Sequence, residues 1–143
     1  LRLTGIYGPG RHHLLDQVRV GEVTGGAEHR LNLIHRDDAA SAILACLESG
    51  LGSGVHVFNA ADDAPTPKGE VAGWLAARIR VSPPRFTGSP HPARRAVVPD
   101  RVIASDRLRA ATGWRPSFPT FREGYESILS AAATGAQSGG SIP

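Results

Sequence analysis

The sequence predicts an α/β or α+β domain whose sheet is incomplete, with about three strands and mostly helical cover. Short apolar segments of strand character alternate along the chain with segments whose apolar residues recur at helical spacing. The 143 residues, of which 41% are hydrophobic and 20% charged, are typical of one globular domain. The 17 glycines and 11 prolines predict much loop between these elements.

The first predicted strand opens the chain. Leu1, Leu3 and Ile6 give it apolar character, and Gly8–Gly10 stop it with a Gly-Pro-Gly turn. A buried strand rarely begins a natural protein, and the sequence contains no methionine. We therefore expect the chain to begin in the middle of a fold.

Two more strands and a helix are predicted in the first half of the chain. Residues 11–20 form a short amphipathic helix, with Leu14 and Val18 on one face. Residues 31–35 read as a short strand, and residues 55–59 are predicted to be the most buried strand of the three.

Helix starts are indicated by capping residues. Asp37 or Asp38 is predicted to cap a helix over residues 39–48. Thr66 is predicted to cap a second helix, which has Pro67 at its first position and ends at about residue 79.

A proline-rich segment over residues 81–101 interrupts this order. Its five prolines prevent a regular helix, and its arginines make it basic. A loop of ~20 residues is uncommon in a compact domain and is usually functional or mobile. Only one aromatic residue, Phe86, lies in it, so a solvated basic loop is favoured over a single-strand nucleic-acid site.

The C-terminal part is predicted to be helical and then flexible. A short helix covers residues 107–112, and Thr120 with Glu123 forms a possible capping box for a helix from 121 to about 133. The Gly/Ser-rich residues 134–143 are predicted to be a flexible tail.

Composition excludes several classes of function. A net charge of +3 with a pI near 9.7 is only weak support for nucleic-acid binding. No apolar run reaches the ~18 residues of a membrane span, and no signal peptide is visible. We expect a cytoplasmic protein that binds neither nucleic acid nor membrane.

No catalytic group stands out from the residues alone. The loop from Gly8 to Arg11 could receive an anion, but a plain turn is favoured. His35 could act as a base beside Asp37 or Asp38, but capping and packing explain these residues better. The six histidines show no metal-ligand spacing, so no metal site is predicted.

The chain nevertheless resembles the C-terminal half of the extended and atypical short-chain dehydrogenase/reductases, the NAD-dependent epimerase/dehydratases. Its opening strand ends in the Tyr-Gly-Pro-Gly loop of that family, and residues 33–40 are similar to the family's Ile-His-Val-Asp-Asp-Ala-Ala, with Arg36 at the valine. The other similar stretches are residues 57–65, 108–116 and 121–124.

The resemblance implies an incomplete Rossmann-type sheet and one part of an NAD(P)-dependent enzyme. The glycine-rich dinucleotide fingerprint and the Tyr-x-x-x-Lys pair of the family are absent, since Lys68 is the only lysine and no tyrosine stands four before it. Residues 1–133 would then be the substrate-binding portion of an oxidoreductase or epimerase/dehydratase. It would use NAD or NADP, act on a small molecule with the missing N-terminal cofactor-binding half, and be inactive alone.

Family position also implies roles for individual residues. Gly5, Ile6 and Tyr7 would approach the cofactor, while Arg11, Asn32 and His35 would bind the substrate. Four residues before the junction histidine, sugar-nucleotide epimerases of the family often carry an arginine, whereas this chain has Leu31. This difference puts a nucleotide-sugar substrate in doubt.

Two alternatives stay open at this point. The chain could be a non-catalytic module that binds a phosphorylated small molecule through Arg11 and the basic loop. A weaker alternative is a basic nucleic-acid binder, whose affinity would fall steeply with salt.

Overall fold

The computed structural model describes residues 1–88 and 100–137, with side chains in the last helix described to residue 132. The predicted α/β class is confirmed. The helices are α1 (His13–Val20), α2 (Arg36–Glu48), α3 (Lys68–Ile79), α4 (Asp106–Thr112) and α5 (Phe121–Gln137). The strands are β1 (Arg2–Leu3), β2 (Gly5–Tyr7), β3 (Glu22–Val23), β4 (Arg30–Leu31), β5 (Leu33–His35), β6 (Asn59–Ala60), β7 (Thr66–Pro67) and β8 (Arg85–Phe86).

The opening segment changes its pairing partner at Thr4. β1 pairs in parallel with β6, and β2 pairs in parallel with β5. The Thr4 amide donates to the carbonyl of Ala60 at 3.2 Å, and the next amide, that of Gly5, donates to the carbonyl of Asn32 at 2.9 Å. Successive peptide groups of a strand face opposite edges, so this segment lies between two partners and forms the predicted incomplete parallel sheet.

One edge of β1 is open. The amides of Arg2 and Thr4 both donate toward the segment that contains β6. The peptide N–H of Leu3 lies between them and faces the other edge. Within residues 1–88 and 100–137, β6 is the only strand that pairs with β1.

Two further strand pairs were not predicted. β3 pairs in parallel with β8, and β4 pairs antiparallel with β7. Each of these strands has two residues. Two residues are too few to show the alternation from which a strand is recognised.

The predicted strand over residues 55–59 is largely wrong. Only Asn59 of that stretch is in a strand, and Val55 is 94% exposed. The run of β-branched residues suggested burial, but the described residues place no neighbouring element over Val55.

The prediction that Thr66 caps a helix is also wrong. Thr66 and Pro67 form β7, and α3 begins at Lys68. The Thr66 hydroxyl donates to the carbonyl of Ala64 at 2.7 Å instead of accepting a helix amide.

The N-cap of α2 is His35, not Asp37 or Asp38 as predicted. The Asp37 amide donates to Nδ1 of His35 at 3.3 Å, and α2 begins at Arg36. The carboxylate of Asp38 is buried and accepts the amides of Ser117, at 2.7 Å, and Phe118, at 2.9 Å. Asp38 therefore fixes the approach to α5, a long-range role that its place beside the strand did not reveal.

Two buried clusters form the core. One joins α1, α3, α5 and β2 through Tyr7, Leu15, Val18, Val23, Val71, Ala72, Leu75, Ala76, Phe121, Tyr125 and Ile128. The other lies beneath α2 and α4 and contains Ile34, Ala39, Ala42, Phe58, Ala60, Leu108 and Trp114. No helix among the described residues is long and apolar enough to cross a membrane.

The predicted capping box at α5 is confirmed. The Thr120 amide donates to the Glu123 carboxylate at 3.0 Å, and the Arg122 amide donates to the Thr120 hydroxyl at 3.1 Å. α5 then continues to Gln137, beyond the predicted end. The predicted flexible tail falls largely outside the described residues, as do residues 89–99 of the predicted basic loop.

Gly124 lets α5 pack against the end of the opening segment. A Cβ atom on Gly124 would lie 1.9 Å from the hydroxyl oxygen of Tyr7. Tyr7 cannot easily move aside, because its ring is 4% exposed and lies 4.8 Å, centroid to centroid, from the ring of Tyr125.

We predict that Gly124→Ala destabilises the chain although alanine favours helix. Forcing a methyl group into a packed contact costs about 1–3 kcal/mol of unfolding free energy. The matched control is Gly73→Ala in α3, where a Cβ atom meets nothing within 4 Å and alanine should stabilise the chain by about 0.5–1 kcal/mol. Urea denaturation measures both, and equal effects of the two variants would contradict this packing account.

Candidate functional site

A cleft of about 600 Å³ lies where the opening segment changes its partner. It is lined by Arg2, Leu3, Thr4, Asn59, Arg101, Val102, Ile103, Ala104, Asp106 and Arg107. Its volume is within the range of small-molecule sites. We therefore take this cleft as the candidate site.

Strand pairing positions one wall of the cleft. Arg2 and Thr4 are two residues apart and so lie on the same face of the opening segment. Asn59 is opposite Arg2 in the parallel register. The Thr4 hydroxyl donates to the carbonyl of Ala60 at 3.2 Å, which fixes that side chain against the neighbouring strand.

Two sets of hydrogen bonds hold the other wall. The amide nitrogen of Asn32 donates to the carbonyl of Arg101 at 2.8 Å, and its oxygen accepts the amide of Ile103 at 2.7 Å. The hydroxyl of Ser105, which is buried, bonds both the amide and the carbonyl of Ala61. The segment before α4 is thus tied to the residue that precedes β5 and to the residue that follows β6.

The charge that lines the cleft is mainly positive. Arg2, Arg101 and Arg107 contribute guanidinium groups, and Asp106 contributes a carboxylate. The guanidinium carbon of Arg107 lies 6.0 Å from the ring centroid of Phe58, at the limit of a cation–π contact.

The predicted cofactor-binding residues lie beside the cleft but differ in exposure. Gly5 directly follows Thr4 and is exposed, and Ile6 is half-buried. Tyr7 is 4% exposed, and its hydroxyl group points at α5.

The predicted substrate-binding residues are not brought together. Arg11 is exposed, and its Nε donates to the carbonyl of Ile6 at 3.1 Å. Gly8 and Arg11 exchange backbone hydrogen bonds of 3.0 and 2.9 Å, as a plain turn does. Asn32 uses its amide group to hold the cleft wall. A substrate-binding role for Arg11, Asn32 or His35 stays a prediction.

His35 lies inside the protein. It is 1% exposed, and its ring centroid lies 5.5 Å from that of Tyr7 and 4.0 Å from that of Phe118. Burial lowers the pKa of this imidazole, against a smaller raising effect of Asp37 and Asp38. The ring therefore favours the neutral form, in which Nδ1 accepts the helix amide.

A buried polar cluster adjoins the site. The hydroxyl of Tyr7, Nε2 of His35 and Oδ2 of Asp62 are buried and have no hydrogen-bond partner within the part of the chain that the structure describes. Burial, and then the nearby charge of Asp62, raises the pKa of Tyr7. Burial raises the pKa of Asp62 to about 7, while the amide of Ala64 opposes this and Asp38 adds to it.

Sequence reasoning missed most of the cleft. Arg2, Thr4 and Asn59 were not proposed, although Arg2 and Thr4 alternate with apolar residues along the opening strand. This period of two indicates a polar strand face, and it could have identified them. Among residues 1–88 and 100–137, no group of three or more His, Cys, Asp or Glu residues could hold a metal ion.

We predict that Asp62 makes stability fall as pH rises. Its pKa is about 7 in the folded state against 3.8 for an ordinary aspartate. Its contribution is therefore fully favourable below pH ~4 and is lost as pH rises through the folded pKa. Asp62→Asn cannot ionise, and its side-chain oxygen can still accept the Ala64 amide.

The measurement is the free energy of unfolding of both proteins at pH 5 and pH 8. The free energy of unfolding of Asp62→Asn minus that of the parent should grow by about 2.5 kcal/mol between these pH values. Taking the difference cancels the titration of groups that do not interact with Asp62, such as Glu126, whose pKa is lowered by its hydrogen bond with Arg78. A difference in unfolding free energy that does not change with pH would contradict the raised pKa of Asp62.

Sequence comparison relates the chain to two curated proteins. It is 31% identical to a 3-diazoavenalumate denitrifying reductase of a Streptomyces species, over 87% of this chain and 44% of that protein. It is 27% identical to protein YeeZ of Escherichia coli K12, over 83% of this chain and 40% of that protein. The chain thus spans less than half the length of these relatives. No protein-family model matches it.

Comparison of folds finds solved structures that include NAD-dependent epimerase/dehydratases. A conserved protein of unknown function from Silicibacter pomeroyi matches with a TM-score of 0.76 and 25% identity, over 91% of this chain and 48% of its own. A putative NAD-dependent epimerase/dehydratase from Methylobacillus flagellatus matches with a TM-score of 0.63 and 25% identity, over 92% and 46%. The dTDP-glucose 4,6-dehydratase of Bacillus anthracis, solved with NAD, shares the fold at a TM-score of 0.70 and 18% identity, over 90% and 42%. The predicted resemblance is therefore confirmed, and the structural neighbours of this chain are members of the NAD-dependent epimerase/dehydratase family.

Proposed function

We propose that this chain is the substrate-binding portion of an NAD(P)-dependent oxidoreductase or epimerase/dehydratase. The observation that carries the proposal is the polar cleft at Thr4, where the parallel opening segment passes from β6 to β5. Sequence similarity to a reductase and structural similarity to a putative epimerase/dehydratase support the proposal.

The chain's own residues fit one end of a nicotinamide cofactor site. Gly5 offers exposed backbone without a side chain next to the hydroxyl of Thr4, at the edge of the cleft. The sequence has no glycine-rich loop for the pyrophosphate and no Tyr-x-x-x-Lys pair. When bound, the cofactor would supply hydride transfer, and this chain would shape the substrate side of the site.

An exposed apolar surface supports assembly with a cofactor-binding half. Ile43, Leu44 and Leu47 form one face of α2 and are 45%, 55% and 77% exposed. Apolar side chains clustered in this way are typical of a surface that another part of a protein covers. The open edge of β1 offers peptide groups to a further strand.

A chimera tests this function. The chain would replace the matching part of the Streptomyces reductase, and NADH and NADPH binding would be followed by cofactor fluorescence. We expect the chimera to bind one of the two cofactors and the isolated chain to oxidise neither, because the catalytic pair lies outside it.

The controls separate assembly from folding. Leu44→Lys with Leu47→Lys should abolish cofactor binding by the chimera, whereas Val20→Lys should not, although Val20 is also 82% exposed. Turnover of NAD(P)H by the isolated chain would contradict the proposal. So would a folded chimera that binds neither cofactor when the unmodified reductase binds one.

A further inference from the structure

We infer that the cleft binds an anionic oxygen group, a phosphate or a carboxylate, through Arg2, Arg101 and Arg107. This inference rests on the proposed function in one respect, that the cleft is the substrate site. It names the chemical class of the group that the substrate would present.

The three guanidinium groups have no carboxylate partner among the described residues, which is also true of Arg11, Arg80 and Arg115, but only the first three line the cleft. Ion pairs are made by Arg19, Arg30, Arg36, Arg78, Arg85, Arg109 and Arg122. Arg2, Arg101 and Arg107 make none with the described residues, although all three line the same concave surface. Unpaired cations gathered in one cleft favour a negatively charged ligand.

Each arginine is placed by a different part of the fold. Arg2 is held by the pairing of β1 with β6, and Arg101 by the hydrogen bond from Asn32 to its carbonyl. Arg107 lies in the first turn of α4, near the ring of Phe58. Backbones fixed in this way reduce the ordering cost of binding, and guanidinium groups match phosphate and carboxylate oxygens in geometry.

One carboxylate opposes these charges. Asp106 also lines the cleft, exposed in the first turn of α4. The lining stays net positive, since three guanidinium groups face one carboxylate. The cleft volume of about 600 Å³ exceeds that of a small anion, so the anionic group would be one end of a larger ligand.

Nuclear magnetic resonance of the full chain tests the inference. Inorganic phosphate and acetate would be titrated separately at constant ionic strength, while the Nε–H signals of the arginines and the backbone amides are followed. We expect saturable shifts at Arg2, Arg101 and Arg107 with at least one anion. The anion that binds more tightly identifies a phosphate or a carboxylate as the preferred group.

Matched variants make the result specific. Arg101→Gln and Arg107→Gln should each weaken binding by about 10-fold or more, since each removes charge-assisted hydrogen bonds. Arg115→Gln removes the same charge from an exposed residue outside the cleft and should change nothing. Unchanged amide signals elsewhere confirm that each variant is folded.

Three results would overturn the inference. They are shifts that do not saturate with either anion, shifts spread over arginines outside the cleft, and an equal loss with Arg115→Gln. Anion binding needs neither cofactor nor turnover. Its failure would therefore leave cofactor binding by the chimera intact, and failure of the chimera would leave anion binding intact.

Discussion

The peptide groups of residues 2–7 point alternately to the two edges of one extended segment, and the described fold depends on this alternation. The amides of Arg2 and Thr4 donate toward β6, and that of Gly5 donates toward β5. The segment therefore passes from one partner to the other within two residues. The cleft lies at this point, which places its polar side chains between two parts of the sheet.

Side-chain hydrogen bonds to the backbone then set the surroundings of the cleft. Asn32 and Ser105 hold the segment before α4, and Asp38 holds the approach to α5 through two amides. The interior next to the same segment contains polar atoms of Tyr7, His35 and Asp62 that have no hydrogen-bond partner among the described residues. Such groups are costly to bury, so their concentration in one region is typical of a site that is kept for more than stability.

The sequence was informative where local chemistry decides structure. The Gly-Pro turn, the capping box at Thr120 and the alternation of strand-like and helical segments were all recognised, because each depends on neighbouring residues. Prediction from the sequence failed where the structure depends on residues that are distant in the chain. Thr66 joined a strand pair with Leu31, and Asp38 became a long-range acceptor. The cleft was missed because Arg2 and Arg101 are far apart in the chain and meet only in the folded structure.

We propose that the sheet of this chain continues into a cofactor-binding half across the open edge of β1. This continuation is tested by the hydrogen exchange of two adjacent amides, compared between the isolated chain and the chimera. The Thr4 amide is already bonded in the isolated chain, whereas the amide of Leu3 faces the open edge. We expect exchange at Leu3 to slow by about 100-fold or more in the chimera, as when a new strand hydrogen bond forms. An unchanged exchange rate at Leu3 in a folded chimera would contradict the claim.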